Sequence, residues 1–490
     1  KKNTLGFLYS GTATTSDMFD DNVTLLTKQN QADTMVFTKS IAPTKLSRNN
    51  YNLNYSYQNT NETFIADANY TTYSSGLNNT VAITTTDAFQ KDINNNSFQN
   101  NASVMIDIIT LKADYRKKMN AHFVTEYGIK TTATNTKNNL DVLQWQQQNW
   151  ISDTNQTNRF NFTEKVTATY TNITEAIGKL TFIAGLRFEY SNVKGVSTDL
   201  KNNTTNKPDT AYANLFPSLF IQYQLNPKTQ IGFSYGKRID RPTYQDQNPF
   251  VYTLDAFNRE VGNPYLLPQI TNNVELQYTY NYSTNIKASY SHTQQYIEQL
   301  TYQDGKNTVL IPQNAGYKQM INLSISTGFN VKKWWNFYVY AEPFWQQYHT
   351  IIKGFQLNTT SINESVGFNG YLSNTFSLNN DFKIELSGWF NYQNTTTIYT
   401  AKPIGSLNIN TSKAVLKNKL VISTGIKDIF NTQKWQQTAV NTNLNMHTYR
   451  KWESRNIYVG ITYKFGNNKI KDARERNNGN EAEENRIKSK

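Results

Sequence analysis

Asn456-Ile457-Tyr458-Val459-Gly460-Ile461-Thr462-Tyr463-Lys464-Phe465 decides the fold. Ile457, Val459, Ile461, Tyr463 and Phe465 take every second position, and Asn456, Tyr458, Gly460, Thr462 and Lys464 fill the alternates. Successive strand residues face opposite sides. A strand with lipid on one side and a wet lumen on the other must therefore alternate apolar with polar. The same period recurs in Leu180, Phe182, Ala184, Leu186, Phe188, Tyr190 and in Val274, Leu276, Tyr278, Tyr280, Tyr282. The expected fold class is all-β, a transmembrane antiparallel β-barrel.

One large barrel can absorb most of the 490 residues, and no composition break divides the chain before about residue 466. The expected division is an outer-membrane barrel over 1–466 and a flexible periplasmic tail over 467–490. That tail mixes Lys, Arg, Glu and Asn without apolar periodicity. A mean hydropathy of −0.66 and the lack of a long apolar run exclude a helical membrane span. They leave open strands of about 9–11 residues. The chain opens Lys1-Lys2-Asn3-Thr4, without an initiator Met or an apolar signal core, so residue 1 is read as not the natural start.

Cysteine is absent, as an exported protein without a disulfide scaffold allows, though cytosolic proteins also lack it. Tyr (32) and Phe (26) far outnumber Pro (11), which favours strands and supplies interfacial rings. The net charge of +13 is spread along the chain with no nucleic-acid recognition motif. Anionic headgroups, lipopolysaccharide among them, account for it, so the expected partners are outer-membrane lipids and not nucleic acid.

Connections alternate between short and long. Short turns fall at 416–419, 379–381, 332–334, 282–284, 226–228, 173–178, 117–119 and 60–62. Long polar segments lie near 18–44, 138–157, 192–211, 236–270, 298–317 and 431–454, with shorter ones near 88–96, 350–361 and 394–404. Tight periplasmic turns and longer extracellular loops are the habit of bacterial barrels, and about 18 strands result. Asp255 is expected outside the cell and Asn380 on the periplasmic side.

One segment exceeds generic strand chemistry. Arg238-Ile239-Asp240-Arg241-Pro242-Thr243-Tyr244 is followed by Asn248-Pro249-Phe250 and then by Gly262-Asn263-Pro264-Tyr265-Leu266-Leu267-Pro268. Ala184-Gly185-Leu186-Arg187-Phe188-Glu189 stands upstream and Lys427-Asp428-Ile429-Phe430-Asn431 downstream. Together these resemble the outer-membrane β-barrel family related to TonB-dependent receptors, of Bacteroidota type, over most of the chain. The resemblance implies a 22-stranded barrel behind a plug, so that about four strands, the plug and a TonB-contacting segment would precede Lys1. It also implies TonB-driven uptake of a bulky nutrient or chelate.

Pro242, Pro249, Pro264 and Pro268 fix φ and lack N–H donors, so this segment must leave the sheet, and it is expected as an ordered extracellular loop. Arg238 and Arg241 suit planar bidentate partners: loop carboxylates, an anionic ligand or a lipopolysaccharide phosphate. The motif residues are thus candidates for shaping a loop or for binding a ligand. Trp435 and Trp452, in the last long segment, are candidate ligand or partner contacts, whereas other aromatics near strand ends fit the interfacial girdles.

His122, His292, His349 and His447 lack metal-ligand spacing, and no nucleophile or phosphate-loop motif is found. No enzyme, cofactor or metal site is expected. The leading reading is a TonB-dependent receptor-like transporter in the outer membrane of a Gram-negative bacterium. The alternative is a structural or assembly barrel whose loops bind partner proteins. A soluble, secreted β-rich protein would need a further layer over its alternating faces.

Overall fold

The computed structural model describes residues 2–28, 31–199, 204–254, 257–304, 307–352, 359–378, 381–393, 399–441, 444–465 and 479–487. Asp255, Asn380 and residues 466–478, where the expected boundary between barrel and tail falls, lie outside them.

One antiparallel sheet of 20 strands builds the barrel, and two of them, Asn149–Ser152 and Thr204–Asn206, only lengthen hairpins. The remaining 18 make the wall. They are β1 (Lys2–Lys28), β2 (Gln31–Gln58), β3 (Glu62–Asp87), β4 (Asp92–Lys118), β5 (Phe123–Gln146) and β6 (Asn158–Ile177). There follow β7 (Leu180–Asp199), β8 (Asp209–Asn226), β9 (Thr229–Asp240), β10 (Gln269–Tyr280), β11 (Thr284–Gln294) and β12 (Gly316–Lys332). The last six are β13 (Trp335–Ile352), β14 (Thr359–Leu378), β15 (Phe382–Gln393), β16 (Ile404–Val415), β17 (Leu420–Lys427) and β18 (Asn456–Tyr463). Each pairs with its neighbours in sequence, an up-and-down order that needs no crossover. Among the described residues β1 and β18 are not paired with each other. Their outward side chains are correspondingly bare: Leu5 is 73% exposed and Ile457 74%, against 37% for Val274 within the sheet.

The alternation sorts chemistry by face. Outward positions of β2 carry Tyr51, Leu53 and Tyr55, whereas the inward Asn50, Asn52 and Asn54 are buried. Asn52 donates to Asn69 at 2.7 Å and Asn54 to Asn52 at 2.6 Å, so these two amides find partners within the inward polar row. On the outside Tyr9, Tyr51 and Tyr70 form a row of rings across three strands, Tyr9 tilted against Tyr51 at 5.1 Å and Tyr51 stacked on Tyr70 at 6.2 Å. Trp334, Trp335 and Phe376 cluster at the short β12–β13 turn, as a girdle requires.

Most of the short turns stand where the sequence places them. Gly178 takes φ +58° in one, although β6 runs on to Ile177 so that this turn is shorter than the expected 173–178, and residues 379–380 of another lie outside the described residues. The long segments differ from expectation. Residues 18–44, 88–96 and 138–157 are mostly strand, so that β1 and β4 run to 27 residues and β2 to 28. That far exceeds the roughly 10 residues needed to cross a bilayer. Threonine favours pleated structure, and the inner faces of these extensions bury Val36, Val81, Ile83 and Phe98 against Phe257. Segments 236–270 and 298–317 share a small sheet in which Asn258–Val261 pairs in parallel with Asn307–Asn314. A hairpin of Lys434–Asn441 and Leu444–Lys451 builds another.

Residues 479–487 belong to the segment expected as a flexible periplasmic tail. The structure seats them on the inner wall, with α1 (Glu481–Glu484) followed by a buried Arg486. Their charges, which read as solvated in sequence, meet opposite charges on the strands.

Candidate functional site

Beyond Asp240 the chain turns inward, where an extracellular loop was expected. Tyr244 and Phe250, 2% and 1% exposed, pack on Ile106, Ile108, Leu140, Phe160 and Phe162 of the inner wall. Burying two such rings contributes about 1.5–3 kcal/mol each, enough to hold a loop inside a polar lumen. The prolines explain why the ladder stops at Asp240, but the direction of the loop follows from apolar inward positions on β4, β5 and β6.

The motif glycine is a consequence of close approach. A side chain at Gly262 would place its Cβ 1.9 Å from the Asn248 carbonyl oxygen, so the Asn-Pro-Phe and Gly-Asn-Pro segments can cross only there. Asn263 donates its N–H to Asp246 at 2.6 Å and its side chain to Pro312 at 3.2 Å. Asn248 accepts from the N–H of Phe250 at 3.4 Å, and Asn263 Oδ1 from that of Tyr265 at 3.0 Å; such turns suit a residue followed by proline. Pro242 and Pro268 are buried, and Pro249 and Pro264 are half-buried. The structure thus brings Pro242, Tyr244, Asn248, Pro249, Phe250, Gly262, Asn263, Pro264 and Pro268 into one folded unit.

It separates the two arginines. Arg241 donates from Nη2 to Glu189 at 2.6 Å and to Ser191 at 3.0 Å, and its Nε lies 3.9 Å from Glu164. Arg187 holds the other Glu189 oxygen at 2.5 Å. Arg238 points inward from β9, is exposed, and has no ion pair among the described residues. Sequence reasoning missed Glu164, whose only signal is a carboxylate at an inward strand position.

The Asp428 segment is a second anchor. Its carboxylate accepts from the N–H groups of Thr432 at 2.9 Å and Gln433 at 3.1 Å and from Ser454 Oγ at 2.5 Å. Burial alone would raise this carboxyl, but the bonds from Ser454 and the two backbone groups outweigh it and hold it below the ordinary aspartate range. Trp435 and Trp452 sit on the hairpin this anchor braces, away from the inward loop. Trp435 donates to Gln437 at 3.0 Å, and Trp452 is 45% exposed.

The extensions of β3, β4 and β5 and residues Thr253, Phe257 and Arg259 of the inward segment line an open cavity of about 460 Å³. Ile83, Phe98 and Phe257 give it apolar surface, Asn94 and Gln144 amides, and Arg259 a guanidinium with no ion pair among the described residues. Among the described residues no cluster of His, Asp and Glu could hold a metal.

The sequence model of the outer membrane protein beta-barrel family matches residues 55–463. The chain belongs to that family. This outer membrane β-barrel protein therefore resides in the outer membrane of a Gram-negative bacterium, and its alternating wall strands are the membrane-crossing elements. Solved structures share the fold. The ferric yersiniabactin uptake receptor FyuA from Yersinia pestis is 10% identical, covering 94% of this chain and 76% of its own, with a TM-score of 0.54. The siderophore receptor PiuA from Acinetobacter baumannii is 10% identical, with 94% and 79% covered and a TM-score of 0.54. The FrpB iron transporter from Neisseria meningitidis is 12% identical, with 94% and 82% covered and a TM-score of 0.51. At such identity the likeness is one of fold. No curated protein matches the sequence.

Proposed function

We propose that this barrel belongs to a receptor-type outer-membrane transporter that takes up a bulky nutrient or chelate, with TonB supplying the energy through a segment upstream of Lys1. The observation that carries the reading is an open cavity of about 460 Å³ that the inward segment itself lines through Thr253, Phe257 and Arg259, together with the packing of Tyr244 and Phe250 of that segment on the inner wall. A loop folded into the lumen narrows the channel, which suits a receptor that holds its ligand outside it. The fold shared with an uptake receptor, a siderophore receptor and an iron transporter supports the same reading. In it Arg259, Phe257 and Phe98 contact the ligand, and Arg238 lies further along the lumen.

The test is growth of a deletion strain on single nutrients and chelates, complemented by the wild-type gene or by Arg259→Gln. Uptake should vanish on deletion, cease with a proton uncoupler, and fall about tenfold in Arg259→Gln, as loss of one charge-assisted hydrogen bond predicts. Unchanged uptake on deletion, with loss of another protein from the membrane, would favour the assembly reading.

A further inference from the structure

We propose that residues 479–487 are a built-in occupant of the lumen, docked in a charged socket on the inner wall, where they clamp the inward loop and narrow the channel. The inference goes beyond uptake and does not depend on it.

The socket reads the tail residue by residue. Lys130 on β5 reaches both carboxylate oxygens of Glu483 at 3.0 Å. Arg48 on β2 pairs with Glu484, whose other oxygen accepts from Asn50 and from Thr71, each at 3.2 Å. Asn480 donates to Thr71 at 2.7 Å and to Glu484 at 2.6 Å, which orients that carboxylate. Arg486 pairs with Glu164, donates from Nε to the carbonyl of Pro242 at 3.0 Å, and lies 4.3 Å above the Tyr244 ring. Ile487 packs on the apolar cluster that seats Tyr244 and Phe250. Two acids of the tail meet two bases of the wall, and its arginine meets a buried acid of the wall, Glu164.

This complementarity has an energetic argument behind it. Lys130 and Glu164 face inward with their side chains 13% and 3% exposed, and a charge buried without a partner is costly. The tail supplies the partner of Lys130, and at Glu164 it supplies a closer one than the 3.9 Å contact from Arg241. The guanidinium of Arg486 joins three things that are distant in sequence: β6, the start of the inward loop and the chain's end.

The decisive experiment uses the full chain, which has no native cysteine. Thr71→Cys with Asn480→Cys should be joined by a short bis-thiol crosslinker in most molecules, seen as a mobility shift of the denatured chain, while Thr71→Cys with Asn410→Cys, on the distant strand β16, should not. Glu483→Gln with Arg486→Gln should raise proteolytic cleavage of the tail about tenfold, since cleavage follows the undocked population. Lys130→Glu should do likewise, and adding Glu483→Lys should restore protection. Truncation after Asn478 should raise ion conductance in planar bilayers. Absence of the Thr71–Asn480 crosslink, or tail cleavage and conductance indifferent to these changes, overturns the proposal.

Discussion

Arg241 donates to Glu189 at 2.6 Å, and through that contact and one to Ser191 the residue that opens the inward loop is bound to β7. The other Glu189 oxygen belongs to Arg187 of the same strand, so two guanidiniums share one buried carboxylate. The upstream segment Ala184 to Glu189 thereby supplies the anchor for the Arg-Pro segment more than 50 residues later. Direction and anchoring of the loop are separate matters: apolar contacts draw it inward and the arginine pins its start.

Replacing Arg241 by Gln should weaken the loop far more than replacing Arg238. The Arg241 and Glu189 side chains are 12% and 7% exposed, and breaking a buried pair costs about 3–5 kcal/mol, with the lower end expected because Arg187 still neutralises Glu189. Protease cleavage between residues 242 and 265 should increase in Arg241→Gln. Arg238→Gln, at an exposed position, should leave stability within about 0.5 kcal/mol. Equal sensitivity of the two variants would contradict this assignment.

Gly262→Ala should unsettle the crossing of the two motif segments. Its Cβ would meet the Asn248 carbonyl oxygen at 1.9 Å, a backbone atom that cannot rotate away. Gly236, in the same stretch, has no atom within 4 Å of the corresponding position. Gly236→Ala should be tolerated, and hydrogen exchange over 244–266 should accelerate in Gly262→Ala alone. Matching exchange in both variants would show that the crossing can relax.

The last hairpin should loosen in acid. Asp428 is held below the ordinary aspartate value, so its contribution is complete above the unfolded-state pKa of about 3.9 and fades as pH falls through the folded value. Trp435 fluorescence, followed from about pH 6 to pH 3, should report the loosening in wild type. Asp428→Asn should be weaker at neutral pH and lack most of the acid-dependent step. A step that appears on raising the pH would reverse the sign of the argument.

Membrane orientation can be read with single cysteines. Gln90, in the β3–β4 connection, should react with an impermeant maleimide on intact cells, and Asn418, in the short β16–β17 turn, should not. Labelling of Asn418→Cys alone would invert the barrel.

The wall was legible because its signal is local. Alternation at Ile457, Val459 and Ile461 follows from lipid on one side of a strand, whatever lies elsewhere in the chain, and the turns follow from short polar breaks between such runs. The strand count, the short turns and the family motif needed nothing beyond this. The hairpin extensions of β1 to β5 were not legible, because a Thr- and Asn-rich segment becomes strand or loop according to whether a neighbour pairs with it and something packs beneath it; Phe257 under Val81 and Phe98 decides that. Prolines announced that residues 241–268 leave the sheet, without saying to which side.

The site itself is a product of tertiary structure. Glu164 and Arg486 stand 322 residues apart, and an inward glutamate among threonines carries no mark of its partner. Likewise Arg238 and Arg241 read alike in sequence, and only their placement leaves one exposed and the other paired with Glu189. Periodicity is a property of one strand against its solvent, so it survives in a one-dimensional reading. Charge pairing inside a lumen depends on strand register and on how the sheet curves, which arise only once neighbouring strands stand together.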